Sequence, residues 1–307
     1  MTILRRYLRE AIECFLKSKH GKKTMWKLFE NELRTIDSKI NNVDPHDIPQ
    51  LFNNIPLELF GKLLLDIPSQ YSCVKGFFPS MASEEVQRNW TGTHGETLLN
   101  QSLAFIKTMG FGYATITGNR IEDANILDYG CGWGRLIRLL YKYVPVENIY
   151  GVDPWDESIK ICRQNGVKGN LAISDYLPLS LPFDRQFDLI FAFSVFTHLS
   201  EKTAHTVLDT LRKYISSKGI LVITIRPKEY WSFHRKGVLA PQMIKAHDEN
   251  GFAFTPHSRD AVDGEITYGE TSMTLDYIAG NFSQWKVRLV ELNEVDPHQI
   301  ILFLQPV

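Results

Sequence analysis

Three glycines at alternating positions follow a short apolar stretch near the middle of this 307-residue chain. The segment 126–136 reads ILDYGCGWGRL, so a strand-like run leads into Gly130, Gly132 and Gly134, and a helix-forming run follows. Glycine permits a tight turn and lets a ligand lie against the backbone. A helix that starts directly after such a turn directs unpaired backbone N–H groups at whatever binds there. The pattern therefore predicts a nucleotide-type cofactor site.

Composition limits the classes of protein to which the chain can belong. The hydrophobic content of 44% is sufficient for one large domain, or for one domain with an extension. A net charge of −1 favours neither nucleic acid nor an anionic surface as a partner. The four cysteines lack metal-ligand spacing and are too sparse for a disulfide framework, so we expect a cytoplasmic protein without a metal site. No apolar run reaches the roughly 18–20 residues of a transmembrane helix.

The first 85 residues are predicted to form a helical extension. Apolar residues from Ile3 to Leu16 recur at helical spacing, and the opposite face is basic. This amphipathic helix, within residues 1–23, is expected to pack on the protein body or on a second subunit of a homo-oligomer. A peripheral contact with an anionic membrane is the alternative. Prolines divide residues 42–70 into short helices, and Thr93–Met109 is typical of a longer one.

From Asn125 onward, strand-like and helix-like segments alternate, which predicts a parallel sheet with helices on both faces. The strand candidates are Ile126–Tyr129, Asn148–Val152, Leu171–Ser174, Phe187–Phe193 and Ile220–Ile225. The helix candidates are Trp133–Tyr143, Asp156–Asn165 and Glu201–Ser216, the last capped by Ser200 and followed by Gly219. Two final strand-like runs, Trp285–Leu292 and Gln299–Gln305, are close enough in sequence to form an antiparallel hairpin.

Residues 227–270 have the least regular pattern in the second half of the chain, and they are rich in aromatic residues and histidines. A long irregular insertion within a compact domain is usually functional or mobile. The aromatic side chains there could form one wall of a pocket for a ring-shaped molecule, although most single aromatic residues belong to a core.

The run from Asp128 to Gly134 resembles the class I S-adenosylmethionine-dependent methyltransferases of the small-molecule or glycan type. In that superfamily the first strand ends in an acidic residue followed by G-x-G-x-G, whereas a dinucleotide fingerprint reads G-x-G-x-x-G. Arg135 occupies the position of the last glycine of that fingerprint. The resemblance implies an α/β fold with a Rossmann-like, seven-stranded, mostly parallel sheet, helices on both faces and an antiparallel C-terminal hairpin. We place this domain at residues 86–307, after the helical extension of residues 1–85.

The same resemblance implies S-adenosyl-L-methionine as cofactor and suggests where it binds. The glycines would pass beneath its amino-acid part, Asp153 would accept the ribose hydroxyls, and Asp175 would meet the adenine amine. The alternatives are a helix-start role for Asp153, packing for Trp155 and a capping or solvated Asp175. The residues expected to contact the cofactor are Trp90, Asp128, Tyr129, Gly130, Cys131, Gly132, Asp153, Pro154, Trp155, Asp175, Tyr176, Phe193 and Ser194.

Methyl transfer to a hydroxyl needs a base, and histidine is the usual candidate near neutral pH. His198 follows the fourth strand and ranks first, with His234 and His257 of the insertion behind it. The alternative for His198 is a packed ring that donates to a backbone carbonyl. The expected reaction is methylation of a hydroxyl on a sugar, a glycan or a secondary metabolite, with a small-molecule or saccharide acceptor and no nucleic acid. A catalytically inactive binding subunit is the main alternative, and an NAD-dependent reductase is less favoured.

Overall fold

The computed structural model describes residues 26–234, 239–258, 260–293 and 295–307. The predicted amphipathic helix of residues 1–23 lies outside the described residues. None of the helices in the described ranges is both long and apolar enough to cross a membrane.

A seven-stranded sheet forms the centre of the described chain, and a separate two-stranded sheet lies beside it. The strands are β1 (Ile126–Tyr129), β2 (Ile149–Asp153), β3 (Asn170–Ile173), β4 (Phe187–Ala192), β5 (Ile215–Ile225), β6 (Phe252–Pro256), β7 (Gly269–Met273), β8 (Trp285–Leu292) and β9 (Ile300–Pro306). The large sheet has the order β3-β2-β1-β4-β5-β9-β8. Its first five strands are parallel, whereas β9 runs antiparallel to both β5 and β8. The predicted parallel sheet and terminal hairpin are therefore confirmed.

Helices cover both faces of this sheet, as the alternating pattern predicts. They are α1 (Glu30–Lys39), α2 (Ile48–Leu51), α3 (Leu57–Leu65), α4 (Ser72–Phe77), α5 (Glu84–Thr91), α6 (Gly95–Thr117), α7 (Ile137–Leu140), α8 (Asp156–Gln164), α9 (Glu201–Tyr214), α10 (Glu229–His234), α11 (Leu239–Asn250) and α12 (Leu275–Asn281). Ile126 and Leu127 belong to different buried clusters, because successive side chains of a strand point to opposite faces. Leu33 and Phe60 of the N-terminal helices share the cluster of Ile126, so the described part of the extension packs against the sheet.

The segment after the glycines departs from the predicted helix. Gly130, Gly132 and Gly134 have positive φ angles of 79°, 54° and 76°, which are left-handed conformations outside the α-helical range. Tight turns continue as far as Leu136, and regular helix is confined to the four residues of α7. So short a helix offers no long array of aligned N–H groups, and charge complementarity at the site must come from side chains instead.

The insertion of residues 227–270 is more regular than its sequence predicts. Two helices, α10 and α11, precede an antiparallel pair formed by β6 and β7. The strand β7 has the polar sequence GETSM, yet all five residues are buried. Hydrophobic periodicity cannot reveal such a strand, because hydrogen bonds made by its own polar side chains compensate their burial. One example is the Thr271 hydroxyl, which donates to the carbonyl of Leu199 at 2.5 Å.

Other boundaries shift by a few residues. Ser200 caps α9 as predicted, since its hydroxyl accepts from the backbone N–H of Thr203 at 3.4 Å. The helix ends at Tyr214, and β5 begins at once with Ile215. Gly219 therefore lies inside a strand and does not follow the end of the helix.

Candidate functional site

A cavity of about 730 Å³ opens at the carboxyl ends of β1, β2 and β4. This edge is where open parallel sheets bind their ligands. Most of the predicted site residues line the cavity, although they come from distant parts of the chain. They are Trp90, Asp128, Tyr129, Gly130, Cys131, Gly132, Asp153, Pro154, Trp155, Tyr176, Phe193, Ser194, His198 and His257.

Two predicted residues are not part of the cavity wall. Asp175 is exposed just beyond β3, while its neighbour Tyr176 does line the cavity. His234 is exposed at the end of α10, where its ring stacks on Tyr230 at a centroid distance of 4.4 Å. Burial lowers the pKa of His234, with a further contribution from the neighbouring His298.

The glycine turn is held against the end of β2 by hydrogen bonds. The backbone N–H groups of Gly130 and Cys131 donate to the carbonyl of Val152 at 2.8 and 2.9 Å. The N–H of Gly132 donates to the carboxylate of Asp153 at 2.9 Å. A Cβ at Gly130 would lie 2.5 Å from Cγ2 of Val195, so this position has no space for a larger residue.

Asp153 connects the glycine turn to the start of α8. Its second carboxylate oxygen accepts from the N–H of Trp155 at 2.9 Å, which orders the Asp-Pro-Trp turn. The rings of Trp155 and Trp90 lie 4.7 Å apart with an interplanar angle of 32°. Trp90 also lies over Gly132, where a Cβ would approach it to 3.9 Å. The two indoles therefore form an aromatic wall beside the carboxylate.

An acidic and a basic side chain line the cavity beside the glycine turn. The side chains of Asp128 and Arg135 make no hydrogen bond or ion pair with any described residue. Nη2 of Arg135 is fully buried, and its guanidinium carbon lies 4.8 Å from the centre of the Phe193 ring. Burial lowers the pKa of Arg135 to about 10, and it raises the pKa of the 2%-exposed Asp128 well above its usual range. A ligand that carries both an ammonium and a carboxylate would give Asp128 a hydrogen-bond donor and Arg135 a hydrogen-bond acceptor.

The exit of β4 is strained at a residue that lines the cavity. Ser194 has a φ angle of 59°, which is unusual for a residue with a side chain. Its N–H donates to the hydroxyl of Thr224 at 2.8 Å, and this bond holds the turn. The amide of Gln299 donates to the Ser194 hydroxyl at 3.1 Å, while the buried Oε1 of Gln299 lacks a partner in the described chain. Strained residues that persist in a fold are concentrated at functional sites.

His198 lies at the far end of the cavity, but both of its ring nitrogens are engaged. Nδ1 is 2.7 Å from the carbonyl of Gly269, so it carries the proton, and Nε2 accepts from Arg226 at 3.1 Å. Its ring stacks on Tyr268 with centroids 4.9 Å apart. Burial and then the positive charge of Arg226 lower the pKa of His198 to about 4. The structure thus gives His198 the packed, carbonyl-bonded arrangement that was the alternative to a base.

A buried carboxylate organises the same end of the cavity. Glu270 on β7 accepts from Arg226 and from the Tyr230 hydroxyl through one oxygen, and its other oxygen is 2.9 Å from Nε2 of His257. Burial opposes ionisation of Glu270, but Arg226, His198 and these hydrogen bonds outweigh it and lower the pKa. Glu270 is therefore a carboxylate at neutral pH. The residues that the structure describes contain no group of three or more His, Cys, Asp or Glu that could hold a metal ion.

Sequence reasoning missed several residues of the cavity wall. Arg135 was considered only because it interrupts the dinucleotide fingerprint, although it immediately follows the glycines. No pattern in the sequence indicates that Glu270 and Gln299 line the cavity, because each is far in sequence from the glycine run and from Asp153. Only the fold brings the final hairpin and the insertion to the edge where β1, β2 and β4 end.

Comparisons with known proteins find one family model and several solved structures that are similar to this chain. Residues 126–219 match the family model described as a methyltransferase domain. No curated protein sequence matches the chain. Among solved structures, an S-adenosylmethionine-dependent methyltransferase from Clostridium acetobutylicum is 14% identical, with a TM-score of 0.47 over 72% of this chain and 96% of that one. DesVI from Streptomyces venezuelae is 10% identical, with a TM-score of 0.48 over 74% of this chain and 100% of that one.

Identities and TM-scores this low say nothing about activity or acceptor. The family match covers the segment that contains the glycine turn, Asp153 and the exit of β4. The seven strands of the large sheet, mostly parallel and with an antiparallel final hairpin, agree with the fold that the resemblance implies. Residues 126–219 are therefore similar to a methyltransferase domain, and the fold is the Rossmann-like fold that the resemblance implies.

Proposed function

We propose that this protein transfers the methyl group of S-adenosylmethionine to a hydroxyl of a small acceptor, a sugar or a secondary metabolite. The observation that carries the proposal is the placement of an acidic and a basic side chain beside the glycine turn, Asp128 and Arg135, neither of which makes a hydrogen bond or an ion pair with a described residue. The methionine end of the cofactor has an ammonium and a carboxylate on one carbon. Each of these groups would satisfy one of the two side chains.

The rest of the cofactor would lie along the wall formed by β2 and the start of α8. Asp153 lies at the end of β2, where a carboxylate can accept hydrogen bonds from ribose hydroxyls. Trp155 and Trp90 offer aromatic faces for the adenine ring. The present 4.7 Å between the two indoles is too narrow for a base between them, so adenine would stack on one outer face or displace one ring.

For methyl transfer, the protein mainly has to position the two reactants and exclude water. S-adenosylmethionine supplies a methyl group on a cationic sulfur, which is already reactive toward a nucleophile. The glycine turn, Asp128 and Arg135 would fix the methionine end, so that the acceptor oxygen can approach along the line of the bond to sulfur. The half-buried exit of β4, with Phe193 and Ser194, would help to keep water from that line.

The acceptor would occupy the far end of the cavity, beyond Ser194. Tyr268 presents an aromatic face there, and Gln299 presents a buried carbonyl oxygen without a partner in the described chain. An aromatic face beside hydrogen-bond acceptors suits a molecule with a ring and several hydroxyls. This combination supports a sugar or a hydroxylated secondary metabolite as the acceptor.

Isothermal titration with S-adenosylhomocysteine and S-adenosylmethionine tests the proposal. We expect binding in the micromolar range for the wild type and no detectable binding for Asp153→Ala. This variant loses the proposed contact to ribose, the hydrogen bond from Gly132 in the glycine turn and the hydrogen bond from Trp155. Asp156→Ala is the matched control, since Asp156 is an exposed carboxylate three residues away that pairs with Lys160. Absence of binding by the wild type, or tighter binding of NAD than of either ligand, would contradict the proposal.

A further inference from the structure

Two histidines, His198 and His257, line the acceptor end of the cavity, with ring centroids 6.2 Å apart. A general base needs a ring nitrogen whose lone pair is available to the acceptor. His198 has no such nitrogen, because one donates to the carbonyl of Gly269 and the other accepts from Arg226. These two hydrogen bonds hold His198 in the cavity wall and leave it no free nitrogen to accept a proton from the acceptor hydroxyl.

His257 has the opposite arrangement. Its Nε2 lies 2.9 Å from Glu270, whereas its Nδ1 makes no hydrogen bond within the described part of the chain. The side chain is 33% exposed, in contrast to 15% for His198. Its backbone N–H donates to the carbonyl of Tyr268 at 3.2 Å, which fixes the main chain beside the cavity. The ring is therefore reachable from the cavity and is anchored at one nitrogen only.

Glu270 determines which nitrogen of His257 carries the proton. The carboxylate is only 8% exposed, and Arg226 and the Tyr230 hydroxyl hold its other oxygen in place. A carboxylate accepts hydrogen bonds only, so Nε2 of His257 must be the protonated nitrogen. The lone pair of a neutral His257 then resides on Nδ1. This is the logic of a carboxylate that orients a catalytic imidazole and stabilises its protonated form.

From this geometry we infer that His257 is the general base of the reaction and that Glu270 is its positioning residue. The inference rests on the proposed function and assigns a role within the same site. It also assigns a functional role to the insertion of residues 227–270, because Glu270 lies on β7 and His257 directly follows β6. In this proposal the hydroxyl of the acceptor binds beside Nδ1 of His257, within the cavity that His257 lines.

The step balances without any further reactant. The acceptor oxygen forms a bond to the methyl carbon, and the bond from that carbon to sulfur breaks with both electrons on the sulfur. The proton of the hydroxyl passes to Nδ1 of His257, which becomes an imidazolium that still donates from Nε2 to Glu270. This proton then leaves to solvent, and nothing is oxidised or reduced.

The kinetic test measures transfer of tritiated methyl groups from S-adenosylmethionine to a panel of hexoses, amino sugars and substituted phenols. For the best acceptor, we expect His257→Gln to lower kcat by about 10²–10⁴-fold, the usual contribution of a general base, with KM changed less than threefold. Glu270→Asp keeps the charge beside Arg226 but withdraws it from His257, and we expect a loss of about tenfold in kcat. His46→Gln is the matched control, because His46 forms a surface pair with Glu147 at 2.8 Å. A His257→Gln variant that retains more than a third of the wild-type kcat would overturn the inference.

A second measurement does not depend on finding an acceptor. Nitrogen-15 NMR of histidine-labelled protein, with His257→Gln used to assign the signal, reports which ring nitrogen carries the proton. We expect neutral His257 to be protonated at Nε2 in the wild type and to become a mixture of tautomers in Glu270→Asp. Protonation at Nδ1 in the wild type would refute the assignment. Titration of the same samples with S-adenosylhomocysteine distinguishes a failure of the proposed function from a failure of the inference about His257. Absence of binding by the wild type contradicts the proposed function. Intact binding with the proton on Nδ1 contradicts the role of His257 as general base.

Discussion

Replacement of Arg135 by methionine should weaken cofactor binding and stabilise the empty protein at the same time. Methionine is similar in length and apolar, so it fills the space beside Phe193 without bringing a charge. In the bound state, Arg135 would donate charge-assisted hydrogen bonds to the carboxylate of the cofactor. Loss of such a bond costs about 1.5–3 kcal/mol, which corresponds to about a 10- to 150-fold increase in Kd.

The effect on stability has the opposite sign. Burial lowers the pKa of Arg135 from 12.5 to about 10, so the folded empty protein pays for holding the charged form at neutral pH. At 1.36 kcal/mol per pKa unit, this cost is about 3 kcal/mol at most. Removal of the guanidinium removes the cost. The attractions of Arg135 to Asp128 and Asp296 oppose the effect of burial and are already contained in this lowered pKa.

Two assays on the same preparations measure both effects. Calorimetry with S-adenosylhomocysteine gives Kd, and urea denaturation without ligand gives the free energy of unfolding. We expect a Kd at least tenfold higher and a free energy of unfolding about 1–3 kcal/mol higher for Arg135→Met. Arg120→Met, which removes an exposed guanidinium paired with Glu122, should change neither quantity. An Arg135→Met protein that is less stable and binds with unchanged Kd would show that the residue is structural.

The other predictions concern pH dependence and the glycine turn. The pKa of His198 is lowered to about 4 in the folded protein and is about 6.5 when unfolded, so the unfolded chain binds more protons between these values. The free energy of unfolding should therefore rise by up to about 3 kcal/mol from pH 4 to pH 6.5. In urea titrations, His198→Gln should flatten this dependence of the free energy on pH. An unchanged dependence in the variant would exclude His198 as its source. Gly130→Ala should destabilise the protein by about 2–5 kcal/mol, from a left-handed φ and a contact of 2.5 Å with Val195. Addition of Val195→Ala should recover part of that loss, and a double variant no more stable than Gly130→Ala would contradict the contact as its cause.

Local patterns in the sequence are sufficient to predict the sheet and the residues that line the cavity beside the glycine turn. The strand β1, the acidic residue after β2 and the apolar β4 are each encoded by consecutive residues, so their spacing predicts both the fold and the edge at which ligands bind. The same local reasoning placed Gly130 and Asp153 correctly in one cavity wall. It overestimates the length of the following helix, because the positive φ angles at the three alternating glycines are a property of the folded turn.

The acceptor end could not be predicted in the same way. Its central carboxylate, Glu270, lies in a buried strand with a polar sequence, and its partners Arg226 and Tyr230 come from different elements. The sequence ranks His198 above His257, because His198 directly follows the fourth strand. Only the positions of Gly269 and Arg226 show that both nitrogens of His198 are engaged. Long-range pairing of polar groups therefore determines which histidine is available.

The most direct test of the central claim is a crystal structure of the wild-type protein with S-adenosylhomocysteine. We predict the amino group of the ligand beside Asp128, its carboxylate beside Arg135 and its ribose hydroxyls on Asp153. The sulfur should then lie toward Ser194 and His257. A ligand bound in the reverse direction, with its ribose at Arg135, or a cavity that stays free of ligand at saturating concentration, would contradict the account.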